Sequence, residues 1–187
     1  MSIGKGLLFS CLLIMYVAFM ISKATPVTLK HSMRKLHDWS STCSLRKAEE
    51  VYIKFMFPIG GLPAEYYSNS SDLVLEGITF GNATEIENQT SICAIHDYLN
   101  YHLPTILNNL HKYPDSILKE TKAFLSQFTI AVKNSEEGKN VLEDCNRNVT
   151  TSDDYSMKRL GLRIISYTRR WLEQYTGIKV TCLGLKD

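Results

Sequence analysis

The sequence lacks an excess of charge of either sign: 21 Lys and Arg stand against 19 Asp and Glu. A nucleic-acid partner would want a clustered positive field, so this balance argues against one. The parts of common active sites are also missing. There is no glycine-rich loop of the kind that cradles a phosphate, and no Gly-x-Ser-x-Gly. His31, His37, His96, His102 and His111 form no close pair with a cysteine partner, so neither a metal nor a cofactor is expected. After the N-terminal segment, no run is apolar enough to span a membrane. Cysteine is too sparse for a dense disulfide scaffold, and residues 25–187 are long enough to build a real core without one.

What is present begins with an export signal. Lys5 supplies a short positive region and Gly6 to Ile21 is almost continuously apolar. Ser22-Lys23-Ala24 then sets small residues at the positions a signal peptidase reads. The apolar run is shorter than the roughly 20 residues of a spanning helix. The expected division is therefore a signal peptide over 1–24 and one domain over 25–187. Losing Lys5 and Lys23 brings the mature chain close to neutrality. Asn-X-Ser/Thr sequons at Asn69, Asn82, Asn88 and Asn148 agree with export, since such sites are modified only in the secretory pathway and on accessible backbone. The mature chain keeps Cys43, Cys93, Cys145 and Cys182, an even number in an oxidising compartment.

Helical periodicity dominates the rest. Apolar residues at 3–4 spacing predict helices over about 28–57, 91–113, 115–134 and 154–176. In the first, Leu29, Met33, Leu36, Ser40, Cys43, Val51 and Phe55 mark the inward stripe. Ile92, Ile95, Leu99, Leu103, Ile106, Leu107 and Leu110 mark it in the second, where Pro104 predicts a kink or break. Leu118, Thr121, Leu125, Phe128 and Val132 mark it in the third, with Phe124 and Ala131 alongside and Asp115 or Ser116 as candidate cap. Met157, Leu160, Ile164, Ile165, Thr168, Trp171, Leu172 and Tyr175 mark it in the fourth, and Gly177 is its expected stop. Residues 58 to about 90 read as a long loop, and a short helical turn is expected around Val141-Leu142. The connections are thus long, nearly absent, then long. Both long ones can run the length of a bundle, since an extended chain covers about 3.3 Å per residue and a helix rises about 1.5 Å. That is the requirement of an all-α, long-chain four-helix bundle with up-up-down-down connectivity. Four cysteines allow three pairings. The connectivity gathers Cys93, Cys145 and Cys182 at one end, and the expected pairs are Cys43–Cys145 and Cys93–Cys182.

Chemistry on this frame is thin. Cys93-Ala-Ile-His96-Asp97 is similar to the Cys-x-x-His-Asp stretch of secreted phospholipases, in which the His is a general base. The calcium loop and cysteine framework of those enzymes are missing, so His96 and Asp97 read as surface residues of the second helix. The paired acids Glu49-Glu50 and Glu136-Glu137 read as solvated faces or loops. No enzyme is expected. An aromatic beside a Lys at a helix start, Tyr155-Ser-Met-Lys158, is instead a good anchor for a partner's pocket.

The string from Tyr155 to Leu172, with Lys158, Leu160-Gly161-Leu162-Arg163 and Trp171-Leu172, resembles the fourth helix of the cardiotrophins. Glu50-Val-Tyr52-Ile-Lys54 followed by Gly61-Leu62-Pro63 is similar to their first-helix end. These two stretches cover about a third of the mature chain and stand in the right order. The resemblance is to the interleukin-6 superfamily, in the branch of cardiotrophin, ciliary neurotrophic factor and leukaemia inhibitory factor. It implies a secreted, monomeric cytokine that joins glycoprotein 130 to a leukaemia inhibitory factor receptor-like chain and signals through Janus kinases and STAT proteins. The family's Phe-x-x-Lys, which meets the second receptor, carries over to Tyr155 and Lys158. Tyr for Phe is a departure, because its hydroxyl must find a hydrogen bond in the pocket. The glycoprotein 130 surface does not transfer residue by residue; helical phase offers Arg34, Asp38 and Lys122. Trp171 reads as core. The rival readings are another long-chain cytokine or hormone with different receptors, a hydrolase using His96 and Asp97, and a carrier with a lipid in the bundle core.

Overall fold

The structure is a computed structural model of the chain. It describes residues 28–38, 41–56, 75–110, 113–138, 140–143, 145, 154–179 and 182. Among them the secondary structure is helical throughout: α1 (Leu29–Asp38), α2 (Ser41–Met56), α3 (Glu85–Asp97), a π-helical turn (Tyr98–His102), α4 (Leu103–Asn109), α5 (Asp115–Lys133) and α6 (Asp154–Thr176). The all-α expectation holds. The predicted helix over 28–57 covers α1 and α2; residues 39 and 40 between them are outside the described set.

Helices α1 and α3 begin where nearby side chains satisfy free N–H groups. At α1 the Thr28 hydroxyl accepts from the His31 N–H at 3.3 Å, and the Glu137 carboxylate accepts from the Leu29 N–H at 2.6 Å. The second predicted helix starts earlier than its apolar stripe implied. Thr84 and Glu87 form a reciprocal capping box, so α3 opens at Glu85 and takes Asn88 into the helix. Regular helix then ends at Asn109, short of the expected Tyr113. At α5 the cap position is Pro114, with no side-chain cap; Asp115 is the first helical residue, not the cap, and its charge suits that end of the helix dipole. Gly177, at φ 73°, closes α6 with its N–H on the Glu173 carbonyl at 2.9 Å.

Pro104 acts just upstream of itself. Its ring removes a donor and crowds the carbonyl four residues back. The chain widens there into the π-helical turn, and the Leu103 N–H reaches five residues back to the Tyr98 carbonyl. Leu99 and Leu103 both stay buried across the turn.

One core joins the helices. It contains Met33, Leu45, Ala48, Tyr52, Ile92, Ile95, Leu103, Ile117, Phe124, Phe128, Ile164, Trp171 and Leu172. Each large apolar side chain buried here contributes about 1.5–3 kcal/mol relative to exposure. α1 and α2 pack against α5 and α6, and α4 and the π turn pack against α6. The stripes are close to those expected, with two shifts. Phe55 is 40% exposed rather than inward. In α5 the rings of Phe124 and Phe128 are both fully buried, while Leu118 and Leu125 are half-buried. Residues 75–84 lie along α6: Phe80 meets the Tyr167 ring edge-on at 5.2 Å, and the Arg170 guanidinium covers both rings. Beyond α5, Ser135 bonds back to Val132 at 2.7 Å, and a turn follows over Asn140–Glu143, where one was expected.

Contacts at the helix ends fix their relation. The Arg34 Nε donates to the Thr176 carbonyl at 3.3 Å, bringing the middle of α1 to the end of α6. Leu29 on Glu137 brings the start of α1 to the end of α5. The Gly81 N–H on Gln174 at 3.2 Å brings the start of α3 to the end of α6. The disulfides are Cys43–Cys182 and Cys93–Cys145, with Cα separations of 5.6 and 5.3 Å. This corrects the expected Cys43–Cys145 and Cys93–Cys182. Thr176 lies beside Arg34 on α1, and Cys182 is bonded to Cys43 near the start of α2. Cys145 is left to Cys93 on α3.

Candidate functional site

The end of α2 and the start of α6 meet through one side chain. Tyr52 is fully buried, and its hydroxyl donates to the Lys158 carbonyl at 3.0 Å. Burial pushes its phenol pKa well above the usual tyrosine value. The ring can come this close because residue 161 is glycine: a Cβ there would lie 2.8 Å from the Tyr52 Cζ, and nearer still to the hydroxyl. Farther along, Glu49 joins the same two helices. It accepts from the Ser166 hydroxyl at 2.5 Å and from the Arg169 Nε at 2.9 Å, and Arg169 also pairs with Glu173 at 3.1 Å. Burial opposes the Arg169 charge, but Glu49 and then Glu173 outweigh it and hold the guanidinium above its ordinary value. Glu49 is therefore a buried clasp rather than a solvated face. Glu137 is exposed in the turn after α5, as expected, and in addition caps α1.

Lys158 is half-buried in the first turns of α6, and Tyr155 is one turn ahead of it, its side chain outside the described residues. The structure thus brings together Tyr52 and Gly161, one from each of the two stretches that carry the family resemblance, and sets both beside Lys158. The signal for Tyr52 was present in the sequence, but its apolar stripe omitted it. Arg34 is exposed on α1, yet its Nε is engaged at the end of α6, where it satisfies a terminal carbonyl. Asp38 ends α1 with its side chain outside the described residues. Lys122 is exposed on α5. Nearby, Lys47 of α2 pairs with Glu120 of α5 at 2.6 Å. Burial pushes the Glu120 pKa up, but hydrogen bonds from Lys47 and Ser44 outweigh it and lower the value.

Known families, curated proteins and solved structures give no match to this chain.

The phospholipase-like stretch has a different geometry from the one expected of surface residues. Asp97 is only 2% exposed and lies 3.6 Å from the His102 Nε2 across the π turn. His96 is half-buried, and its Nδ1 has no hydrogen-bond partner among the described residues. Burial, with Lys133 adding to it and Asp97 opposing, lowers the His96 pKa. Asp97 thus faces His102 rather than serving His96. Among the described residues no cluster of His, Cys, Asp and Glu is arranged to hold a metal, and no helix is long and apolar enough to cross a membrane.

At the opposite end from Tyr52, a cleft of about 430 Å³ opens between the starts of α1 and α3 and the end of α6. Trp171 and Tyr175 stack along its wall, with centroids 4.8 Å apart and planes 9° from parallel. Burial, followed by Glu137 and Glu85, pushes the Tyr175 phenol up to about 12. Two of the predicted sequons line this cleft. Asn82 is exposed, while Asn88 is half-buried with its Nδ2 on the Ala83 carbonyl at 3.2 Å. Asn69 and Asn148 lie outside the described residues.

Proposed function

We propose that the chain is a secreted cytokine of the interleukin-6 superfamily. It folds as a long-chain four-helix bundle with up-up-down-down connectivity, α1–α2 and α3–α4 running one way and α5 and α6 the other. The contacts of the α1 and α3 starts with the ends of α5 and α6 support that connectivity. The observation that carries the family reading is the Tyr52–Gly161 contact. Two stretches identified separately as cardiotrophin-like, more than a hundred residues apart, touch at one point and need each other there. A matched aromatic and a matched glycine in direct contact are what a shared helix packing requires. Two disulfides agree with an oxidising destination.

On this reading the work is recognition, not catalysis. Tyr155 and Lys158 at the start of α6 engage a leukaemia inhibitory factor receptor-like chain. Exposed residues of α1 and α5, among them Lys122, engage glycoprotein 130, and joining the two receptors starts JAK/STAT signalling. Arg34 is a weaker candidate for that surface, because its guanidinium already serves the end of α6. Another long-chain helical cytokine or hormone with different receptors would share the fold. A hydrolase using His96 and Asp97 is disfavoured by the burial of Asp97 against His102.

The test is binding of the secreted protein to immobilised ectodomains of both receptors. Tyr155→Ala/Lys158→Ala should weaken the leukaemia inhibitory factor receptor-like chain by about thirtyfold, the effect of losing a hot spot of roughly 2 kcal/mol, and leave glycoprotein 130 unchanged. A folded wild type that binds neither receptor would remove the receptor assignment.

A further inference from the structure

The 430 Å³ cleft is within the range of about 300–1,000 Å³ in which proteins hold small ligands. Its walls are mixed. The half-buried Tyr175, backed by the buried Trp171 on which it stacks, offers an aromatic surface, and Gln174, Glu85, Glu137 and Lys30 offer hydrogen-bonding groups around it. A pyranose ring needs that combination, because its C–H face packs on an aromatic ring while its hydroxyls and acetamide seek polar partners. A sugar acceptor stands at the rim. Asn82 belongs to the sequon Asn82-Ala83-Thr84, lines the cleft and is exposed. Asn88 lies on the same cleft but is held inside α3, half-buried, with Nδ2 on the Ala83 carbonyl. A glycan is bulky and must leave from accessible backbone.

We propose that Asn82, rather than Asn88, carries an N-linked glycan whose first N-acetylglucosamine lies in this cleft against Tyr175. The inference rests on the reading that the chain is exported. In the modification the Asn82 Nδ2 attacks the anomeric carbon of a lipid-linked oligosaccharide. The lipid diphosphate leaves, and Nδ2 gives up one hydrogen as a proton and keeps the other. The attached sugar then ties the chain around Gly81 to the end of α6, a join that the Gly81–Gln174 hydrogen bond already begins. It also covers this end of the molecule, opposite the Tyr52–Lys158 junction.

The experiment uses the full chain secreted from a eukaryotic host. Glycopeptides are treated with peptide N-glycosidase in heavy-oxygen water, and mass spectrometry locates each Asn converted to labelled Asp. Asn82 is expected to be occupied and Asn88 bare. Hydrogen exchange of wild type is then compared with Asn82→Gln, which leaves the Thr84 cap intact, and with Asn69→Gln as a control. Amides at 79–83 and 174–177 should exchange about threefold faster or more in Asn82→Gln, and unchanged in Asn69→Gln. Secreted protein with Asn88 occupied and Asn82 bare overturns the assignment. An occupied Asn82 whose loss leaves those amides unchanged overturns the seat. Failure of the chain to reach the medium removes the export reading itself, and the proposal with it.

Discussion

Gly161 and Tyr52 are in close contact between α2 and α6, and their coupling can be measured. Gly161→Ala puts a methyl group into the Tyr52 ring and should destabilise the fold by about 1–3 kcal/mol, the usual cost of overpacking. Tyr52→Phe removes the hydroxyl that bonds to Lys158 and should cost about 1 kcal/mol. The hydroxyl is also the atom nearest the new methyl, so the double variant should cost less than the sum of the two. Urea midpoints of the four proteins close this cycle; strict additivity would mean that the two residues do not meet. A second residue, His96, sets a pH dependence. The unfolded chain takes up its proton near 6.5, whereas the folded chain does so only at lower pH. Between those values the unfolded state holds more protons, so the His96 contribution to stability is complete above 6.5 and is lost as pH falls. Asp97 on its own helix and Lys133 from α5 are the charges that act on it. His96→Gln should therefore flatten the drop in urea midpoint between about pH 7.5 and about pH 5.5, and an unchanged drop would assign the loss elsewhere. At this scale the sequence was legible where a residue followed the helical stripe, as Met33, Leu103 and Trp171 do. It was not legible for Glu49, because a buried acid and a solvated one look alike until Ser166 and Arg169 arrive from a segment far along the chain.

Helix α3 shows how a local signal can be read too narrowly. Its apolar residues begin at Ile92, and the preceding Asn and Thr residues read as loop. Yet Thr84 and Glu87 stand at capping-box spacing, and reciprocal bonds at 2.7 and 3.3 Å carry the helix back to Glu85. The exposed first turn, where Ile86 is 76% accessible, has no buried face to mark it, so periodicity alone could not extend the helix there. Thr84→Ala should cost about 1 kcal/mol and speed amide exchange over 85–88, while Thr84→Ser should keep both values. Protein made without glycans separates this effect from loss of the Asn82 sequon; equal exchange in both variants would deny the cap its role. Pro104 was legible as a disturbance but not in its form. A proline inside an apolar stripe demands relief from the carbonyl four residues back, and that relief can be a break, a bend or an extra residue in the turn. The burial of Leu99 on one side and Leu103, Ile106 and Leu107 on the other keeps the whole segment against the core, and the π turn is the form of relief found.

For the whole molecule, loop length was the informative quantity, because it limits which helix ends can meet; cysteine spacing was not, because it carries no direction. The pairing turned on Cys182, which lies beyond α6 and bonds to Cys43 near the start of α2, a meeting no periodicity could announce. The resulting bridges constrain very different lengths of chain. Cys43–Cys182 spans 139 residues and Cys93–Cys145 spans 52, both far longer than the local turns they border. A cross-link stabilises chiefly by restricting the unfolded chain, and the restriction grows with the logarithm of the loop. Removing either bridge as a Cys→Ser pair should therefore cost about 2–4 kcal/mol, with the Cys43–Cys182 pair costing slightly more. The two should also differ in where the native protein loosens. Without Cys93–Cys145, the segment after α5 loses its hold on α3, and protection should fall over 140–145 while α1 stays closed. Without Cys43–Cys182, the tail beyond Gly177 is released from α2, and protection should fall over 178–182. Peptide mapping under non-reducing conditions fixes the pairs, and hydrogen exchange on each variant reads the local effect. Recovery of a Cys43–Cys145 peptide would overturn this connectivity and restore the pairing first expected from the bundle.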